Sequence, residues 1–400
     1  MISSVAYLAM HSSPLALPGV GDAGGMNVYA NELATTMASR GVGAVVFTRR
    51  TDPTQLEVVE PVPGYRVVHV DAGPPGAVAI GEQAGLVAEF SQGVVAWARA
   101  NDEHFDVIHS HYWLGGWAGV LVKEALGVPL VNSFHTLGRV KDAAHMGDEP
   151  GSGPVRLRTE EDIIAMSDCV VAATPYEFAD LLEHYGAKPA QLRVSSPGVD
   201  HRLFAPGDRD ASRRKLGLGD APIVLFVGRI QRHKGIDVAV RAVHEVANAH
   251  LLIVGGPSGD HGSAELDYLM GLIADLGLSD RVQFIPPQPH DQLADFYRAA
   301  DTLVMPSRSE SFGLVAVEAQ ACGLPVVAAR VGGLASTVAD TRSGLLVDGH
   351  EPASFAAAIT AILDHPDFRE TLSAGAVDFA RQFSWEAAAN RMLELYEGVD

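Results

Sequence analysis

The sequence predicts two doubly wound α/β domains, and three observations carry that expectation. Apolar strand-like runs alternate with helical patterns in two separate series, the signature of parallel sheets covered by helices. Between the series, Ser195 to Arg213 (SSPGVDHRLFAPGDRDASR) contains two prolines, two glycines and no helical or strand period. The length, 400 residues at 47% hydrophobic composition, suits two or three domains at about 100 to 200 residues each.

In the first series the strands fall at Val5–Met10, Ala44–Thr48, Arg66–Asp71, Val107–His111, Leu130–His135 and Cys169–Thr174. Met26, Tyr29, Ala30, Leu33 and Met37 recur at helical spacing and close a first βαβ unit. The second series comprises Val224–Val227, Leu251–Val254, Val282–Ile285, Leu303–Met305, Val326–Ala328 and Leu345–Val347. Ile236, Ala239, Val240, Val243 and Ala247 form the helical face after its first strand. The expected limits are a first domain over 1–195, a hinge over 196–215 and a second domain over 216–382. A last helical pattern, 383–400, is expected to pack back on the first domain. Open sheets of this kind bind ligands outside the carboxyl ends of their strands, so two facing domains would form a cleft.

Lys plus Arg number 29 against 49 Asp plus Glu, a net charge of −20. That balance argues against nucleic acid and against an acidic membrane surface, and an anionic ligand would need locally placed cations. Cys169 and Cys322, the two cysteines, lie in apolar surroundings with no disulfide or zinc spacing, which fits core positions and a reducing cytoplasm. Val5 to Met10 lacks the flanks of a signal peptide, and no apolar run approaches the roughly 18 residues of a membrane span.

The stretch richest in chemistry is Ser307 to Gly323, SRSESFGLVAVEAQACG. A strand pattern, Thr302 to Met305, enters a polar turn, and Leu314 to Ala321 read as a helix. Ser309 and Ser311 are placed to cap its orphan N–H groups, and Gly313 lets a ligand approach the backbone. Glu310 and Glu318 stand eight residues apart, roughly 12 Å along an axis rising about 1.5 Å per residue. This suits a sugar nucleotide, whose hydroxyls need carboxylate acceptors and whose diphosphate needs N–H donors. The alternative is a pair of solvated glutamates favoured by the helix dipole.

FVGRIQRHKG sets Arg229 and Lys234 between a strand and a helix start, a diphosphate-binding arrangement. The Gly255–Gly259 turn falls at the same strand ends, and Gly332 and Gly333 read as a structural turn. In the first series, HSSPLALPGVGDAGGMN contains a formal G-x-G-x-x-G from Gly19 to Gly24, but His11 to Pro18 intervene after the strand. A glycine-rich lid whose N–H groups hold a phosphate or sugar is the better reading, with Asn27 adding an amide. A dinucleotide site, with Arg49 and Arg50 on a 2′-phosphate, is the alternative. His109, His111, Tyr112, His135 and Thr136 fall at carboxyl ends of strands. Metal ligation by the paired histidines lacks a third ligand, so hydrogen-bonded structural roles fit better, and His135 is the one carried forward. Arg156 and Arg158 follow the polar segment between Arg139 and Glu161, and a single arginine can fork onto a phosphate. No G-x-S-x-G or H-E-x-x-H occurs, and the one Asp-x-Asp, Asp208 and Asp210, lies in the hinge.

With these residues in hand, the sequence resembles the retaining glycosyltransferases of family 4, which have the two-domain GT-B fold. VGRIQRHKG and ESFGLVAVE match that family's donor site, and the resemblance covers nearly the whole chain. HSSPLALPGVGDAGGMNVY, HSHYWLGG and FHTLGRVK are similar to the actinobacterial branch that moves N-acetylglucosamine from UDP to 1D-myo-inositol 3-phosphate in mycothiol biosynthesis. The resemblance implies Arg229 and Lys234 on the diphosphate, Glu318 on the ribose, and Glu310 with the backbone of Ser311, Phe312, Gly313 and Leu314 on the donor sugar. It implies His11 and Gly25 on the donor, and Asp22, Ala23, Gly24, Gly25, Met26, Asn27, Tyr112, Thr136 and Arg156 on the acceptor, with His135 beside the transferred sugar. His135, Glu310, Arg229 and Lys234 are then the catalytic set. Two positions depart from the pattern. Ile80 follows AGPPGAVA where a lysine on the acceptor phosphate is expected, a loss of about 1.5 to 3 kcal/mol of charge-assisted binding. Gln288 replaces an arginine near the nucleotide, leaving backbone contacts to hold a uracil.

The family implies retention of configuration by a front-side route, with no cofactor and no essential divalent metal. The sequence does not fix the oligomeric state, and a homodimer is one option. Transfer of glucose to fructose 6-phosphate, as in sucrose-phosphate synthases, is the nearest alternative, since SFHTLGRVK fits that branch. An NADP-dependent oxidoreductase and a sugar-nucleotide sensor without turnover are the alternatives of other classes.

Overall fold

The structure is a computed structural model that describes residues 1–144, 151–259 and 262–399. Its strands in the first half of the chain are β1 Ser4–Leu8, β2 Gly43–Arg49, β3 Val58–Val62, β4 Tyr65–Val70, β5 Val107–His111, β6 Leu130–Ser133, β7 Cys169–Ala172 and β8 Leu192–Val194. They form one sheet in the order β3-β4-β2-β1-β5-β6-β7-β8, parallel except where β3 pairs antiparallel with β4. The central strands β1 and β5 are buried on both faces because helices cover both; β1 therefore reads as a continuous apolar run, while β5 buries His109, Ser110 and His111. The second sheet contains β9 Ile223–Val227, β10 His250–Val254, β11 Val282–Ile285, β12 Thr302–Met305, β13 Val326–Ala329 and β14 Gly344–Val347. It is parallel throughout, in the order β11-β10-β9-β12-β13-β14.

Contacts divide the chain into two units: Met1–Ala16, Gly25–Ser196 and Trp385–Asp400 in the first, Leu17–Gly24 and Pro197–Ser384 in the second. Each has its own core. Leu8, Phe47, Ile108, Leu114, Phe134 and Val170 are central in the first, and Phe226, Ile253, Val304, Val327, Phe355 and Ile359 in the second. Helix Trp385–Glu397 is part of the first unit, where Trp385 packs edge-on against Tyr29 and Tyr396 bonds to His109.

Several elements differ from the sequence expectation. The predicted hinge 196–215 contains a helix, Arg209–Leu216, capped by Asp208, whose carboxylate accepts from the Ala211 N–H at 2.9 Å. It shows no apolar period because what it buries is Ser212 and Arg213, the latter paired with buried Asp301 at 3.0 Å. Strands β3 and β8 were not expected, being short and largely exposed at the sheet edges. Leu17–Gly24, placed by sequence in the first domain, belongs to the second unit. Of the polar segment between Arg139 and Glu161, residues 145–150 lie outside the described residues. Most of the rest lies in helices Gly138–Ala143 and Gly153–Met166.

Both sheets reverse their strand order at one point, between β1 and β5 in the first and between β9 and β12 in the second. Loops leaving the carboxyl ends of such strand pairs diverge and leave a crevice, the usual ligand position in open sheets. The residues singled out by sequence emerge at these points: His11 after β1, Tyr112 after β5, Arg229 after β9, and Ser307 to Gly313 after β12.

Candidate active site

In the second unit the loops after β9 and β12 are tied together. The Arg308 N–H donates to the His233 carbonyl at 2.8 Å, and Lys234 Nζ donates to Glu310 at 2.7 Å, both side chains being mostly buried. Gly235, at φ +68°, carries the chain into helix Ile236–Glu245, and a Cβ there would stand 2.2 Å from the Pro306 carbonyl oxygen. Only glycine admits so close an approach of the two loops.

Helix Leu314–Ala321 begins where the apolar period predicted. Its N-cap is Gly313, at φ +96°, rather than a serine. The loop before it is held from its carbonyl side, since Gly333 N donates to Glu310 O at 2.7 Å and Thr337 Oγ1 to Phe312 O at 3.0 Å. Ala316 N and Val317 N both donate to the Gly313 carbonyl, at 2.9 and 3.3 Å, and helix starts in general favour anions.

Glu318 is not a solvated helix residue. It is only 4% exposed, and its two oxygens meet Tyr297 OH and His290 Nε2, each at 2.8 Å. Burial, then the neighbouring carboxylate, pushes the Tyr297 hydroxyl well above its ordinary pKa, so it remains a donor to Glu318. Sequence reasoning missed both partners, which lie 21 and 28 residues before Glu318. Gln288 turns its amide back to the Pro286 carbonyl at 2.8 Å. Phe312 is buried edge-on against Phe383, so its side chain is core.

Of the expected lid, His11 to Asn27, the part Leu17–Gly24 packs within this unit. Ser258 Oγ bonds to the Gly21 carbonyl, a Cβ on Gly19 would meet Pro287 at 3.3 Å, and one on Gly24 would meet Arg229 Nε at 3.4 Å. Asp22, Ala23 and Gly24 thus lie beside the Gly255–Gly259 turn and Arg229. Ala23 closes the segment on itself, its N–H bonding to Val20 O and its carbonyl accepting from Gly19.

In the first unit, Gly25 and Met26 open helix Gly25–Ser39. Asn27 is buried and donates to Ser12 Oγ at 2.7 Å and Ser13 O at 2.6 Å, so its amide donors anchor the preceding loop. His11 lies 4.5 Å from Tyr112, ring to ring. Arg156 is the hub of the group. Its Nη1 donates to Tyr112 OH at 3.1 Å, its Nη2 to Thr136 O and Oγ1 at 3.0 and 3.2 Å, and its Nε to Glu160 at 2.8 Å. Burial opposes its charge, but Tyr112 and Glu160 hold the guanidinium above its usual pKa. Glu160, fully buried, also accepts from Gly138 N and from Tyr185 OH. Three of the nine residues expected on the acceptor, Tyr112, Thr136 and Arg156, are therefore joined through Arg156. Ile80 packs against the apolar core of this unit.

Beneath this group runs a buried chain of rings. His109 bonds Tyr396 OH at 2.6 Å and Ser133 Oγ at 2.8 Å, and His111 Nδ1 lies 3.0 Å from His135 Nε2. Burial pushes the His109 and His135 imidazoles down to about 3, and His111 well below its ordinary value, so all three are neutral at pH 7. Arg49 and Arg50 cannot serve a dinucleotide. Arg49 is buried and donates to the Pro74 and Gly76 carbonyls, and Arg50 pairs with Asp71 at 2.8 Å.

Two parallel-sheet α/β units, with the Lys234–Glu310 ion pair at one switch point and an arginine-centred polar cluster at the other, have a GT-B glycosyltransferase architecture. The family models described as Glycosyltransferase Family 4 and Glycosyl transferases group 1 match residues 23–203 and 208–378. The chain belongs to glycosyltransferase family 4. It is 47% identical to the D-inositol 3-phosphate glycosyltransferase of Thermomonospora curvata, covering 100% of this chain and 96% of that protein. It is 48% identical to the protein of the same name from Acidothermus cellulolyticus, over 98% of this chain and 89% of that one. Among solved structures, sucrose-phosphate synthase from Thermosynechococcus elongatus is 34% identical, with a TM-score of 0.93 over 99% of this chain and 98% of that one. Among the described residues, no helix is long and apolar enough to cross a membrane.

Proposed function

We propose that the protein transfers N-acetylglucosamine from its UDP derivative, with retention, to 1D-myo-inositol 3-phosphate. The observation that carries this is its end-to-end likeness, at 44–48% identity, to proteins named D-inositol 3-phosphate glycosyltransferase. The geometry supports it. Arg229, Lys234 and the start of helix Leu314–Ala321 suit the diphosphate, where they would stabilise charge developing on the leaving group. Glu318, fixed by Tyr297 and His290, suits the ribose hydroxyls, and Glu310 the donor sugar. His11, Gly25 and Gln288 complete the donor contacts. The Tyr112–Thr136–Arg156 cluster suits the acceptor phosphate, since a guanidinium already oriented by Glu160 gives up little freedom on binding. His135 stands beside the transferred sugar in this reading. The leaving diphosphate helps to take the acceptor proton, so turnover needs no divalent metal, and cytoplasmic sugar nucleotide supplies the donor.

The full-length likeness to sucrose-phosphate synthase favours a second reading, transfer of glucose to fructose 6-phosphate. One assay separates the two. With UDP-N-acetylglucosamine and inositol 3-phosphate, mass spectrometry is expected to show UDP and a glycosylated inositol phosphate, undiminished by EDTA. Product only from UDP-glucose and fructose 6-phosphate would move the assignment to the second reading.

A further inference from the structure

His111 ends β5 and is fully buried, between Tyr7, stacked at 5.9 Å, and Tyr29, edge-on at 5.6 Å. Its Nδ1 faces Nε2 of His135 at 3.0 Å. Two neutral imidazoles in that contact share one hydrogen, so one ring donates and the other accepts. The remaining nitrogen of His111, Nε2, is buried without a hydrogen-bond partner. An orphaned buried N–H is costlier than an orphaned lone pair. His111 therefore carries its hydrogen on Nδ1 and donates it, and His135 must carry its own on Nδ1.

The backbone gives an independent observation. Tyr112 and His135 hold φ of +69° and +60°, two of the five such non-glycine residues among those described. Tyr112 follows His111 directly, and His135 is bonded to it. Strain of this kind persists only where the surroundings over-determine it, and it gathers at active sites.

We propose that His111 is a positioning residue for glycosyl transfer: through Nδ1 it fixes the orientation and tautomer of His135 and holds the strained turns at Tyr112 and His135. His135 is thereby a neutral ring whose Nδ1 is an N–H donor, matched to a sugar oxygen. The proposal rests on the reading that His135 stands beside the transferred sugar.

The test uses the full chain with ¹⁵N-histidine, the His135 signals being assigned by their loss in His135→Gln. Wild-type His135 is expected in the Nδ1–H form. His111→Phe, which fills the space without the bond, is expected to shift His135 toward Nε2–H. It should lower kcat about tenfold or more at unchanged KM. His111→Asn, whose amide falls where Nδ1 was, should restore most of both, and His111→Gln, whose amide reaches toward Nε2, should not. Wild-type His135 in the Nε2–H form, or His111→Phe with wild-type kcat, would overturn the proposal, as would equal losses in the Asn, Gln and Phe variants. Should His111→Phe fail to fold, the wild-type tautomer and the Asn–Gln contrast still decide. If the wild type makes no product, the assigned reaction fails, while the tautomer measurement judges the His111 contact by itself.

Discussion

In the proposed reading, the ion pair between Lys234 and Glu310 is what a donor diphosphate has to exchange on binding. At 2.7 Å the carboxylate already satisfies the ammonium that a diphosphate would need, and both side chains are mostly buried. A ligand phosphate must therefore compete with Glu310 for Lys234. Glu310→Gln removes the competing charge while keeping the shape, so UDP alone should bind several-fold more tightly, since charge-assisted bonds are worth roughly 1.5 to 3 kcal/mol and only part is recovered. Turnover should fall, because the acceptor for the sugar hydroxyls is lost. Titration calorimetry with UDP beside steady-state rates checks both halves, and weaker UDP binding in the variant would show that Glu310 positions Lys234 rather than competing for it.

At the scale of elements, the loop from Ser307 to Gly313 owes its shape to a neighbour that the sequence marks only as a turn. A Cβ on Gly332 would lie 2.4 Å from Glu310 O, and one on Gly333 2.3 Å from Ser311 O. Gly333 has φ −61°, which alanine adopts freely, so Gly333→Ala tests the contact alone. It should push the loop off its position, raising KM for the UDP-sugar about tenfold or more while costing about 1 to 3 kcal/mol of stability. An unchanged KM would mean the loop backbone does not meet the donor. Helix Leu314–Ala321 and the two glutamates were legible because apolar period and spacing are local. The i,i+4 pairing of Arg156 with Glu160 is equally local, yet it was not among the sequence expectations and emerged only with the structure. The Glu318 partners and the Lys234–Glu310 pair were hidden, because which loops meet is fixed by strand order, with β9 beside β12. Helix Arg209–Leu216 escaped notice because a helix that buries an arginine on Asp301 has no apolar stripe to read.

For the whole molecule, the buried titratable groups of the first unit set how stability depends on pH. His109 and His135 titrate near 6.5 in the unfolded chain and at about 3 when folded, and His111 is also far lowered, in each case by burial. Below pH 6.5 the unfolded chain binds protons that the native state refuses, so stability falls as pH falls. Glu177 works the other way. Burial raises it from 4.5 to about 7, against the bond it accepts from Ala173 N, so between those values the native state holds the extra proton and stability falls as pH rises. Three groups against one leave a net of two between pH 4.5 and 6.5. At about 1.4 kcal/mol per pH unit for each, stability should drop by about 2.7 kcal/mol per unit as the solution is acidified. The four tryptophans, Trp97, Trp113, Trp117 and Trp385, all belong to the first unit, so their fluorescence in urea reports that unit by itself. The urea midpoint should fall steeply from pH 6.5 to 5. Tyr396→Phe, which removes the partner of His109 Nδ1, should lower the stability at pH 7 by about 1 to 3 kcal/mol and flatten the slope, because an unpaired His109 accepts a proton more readily. A midpoint that stays level between pH 5 and 6.5 would mean that these histidines are protonated in the folded protein.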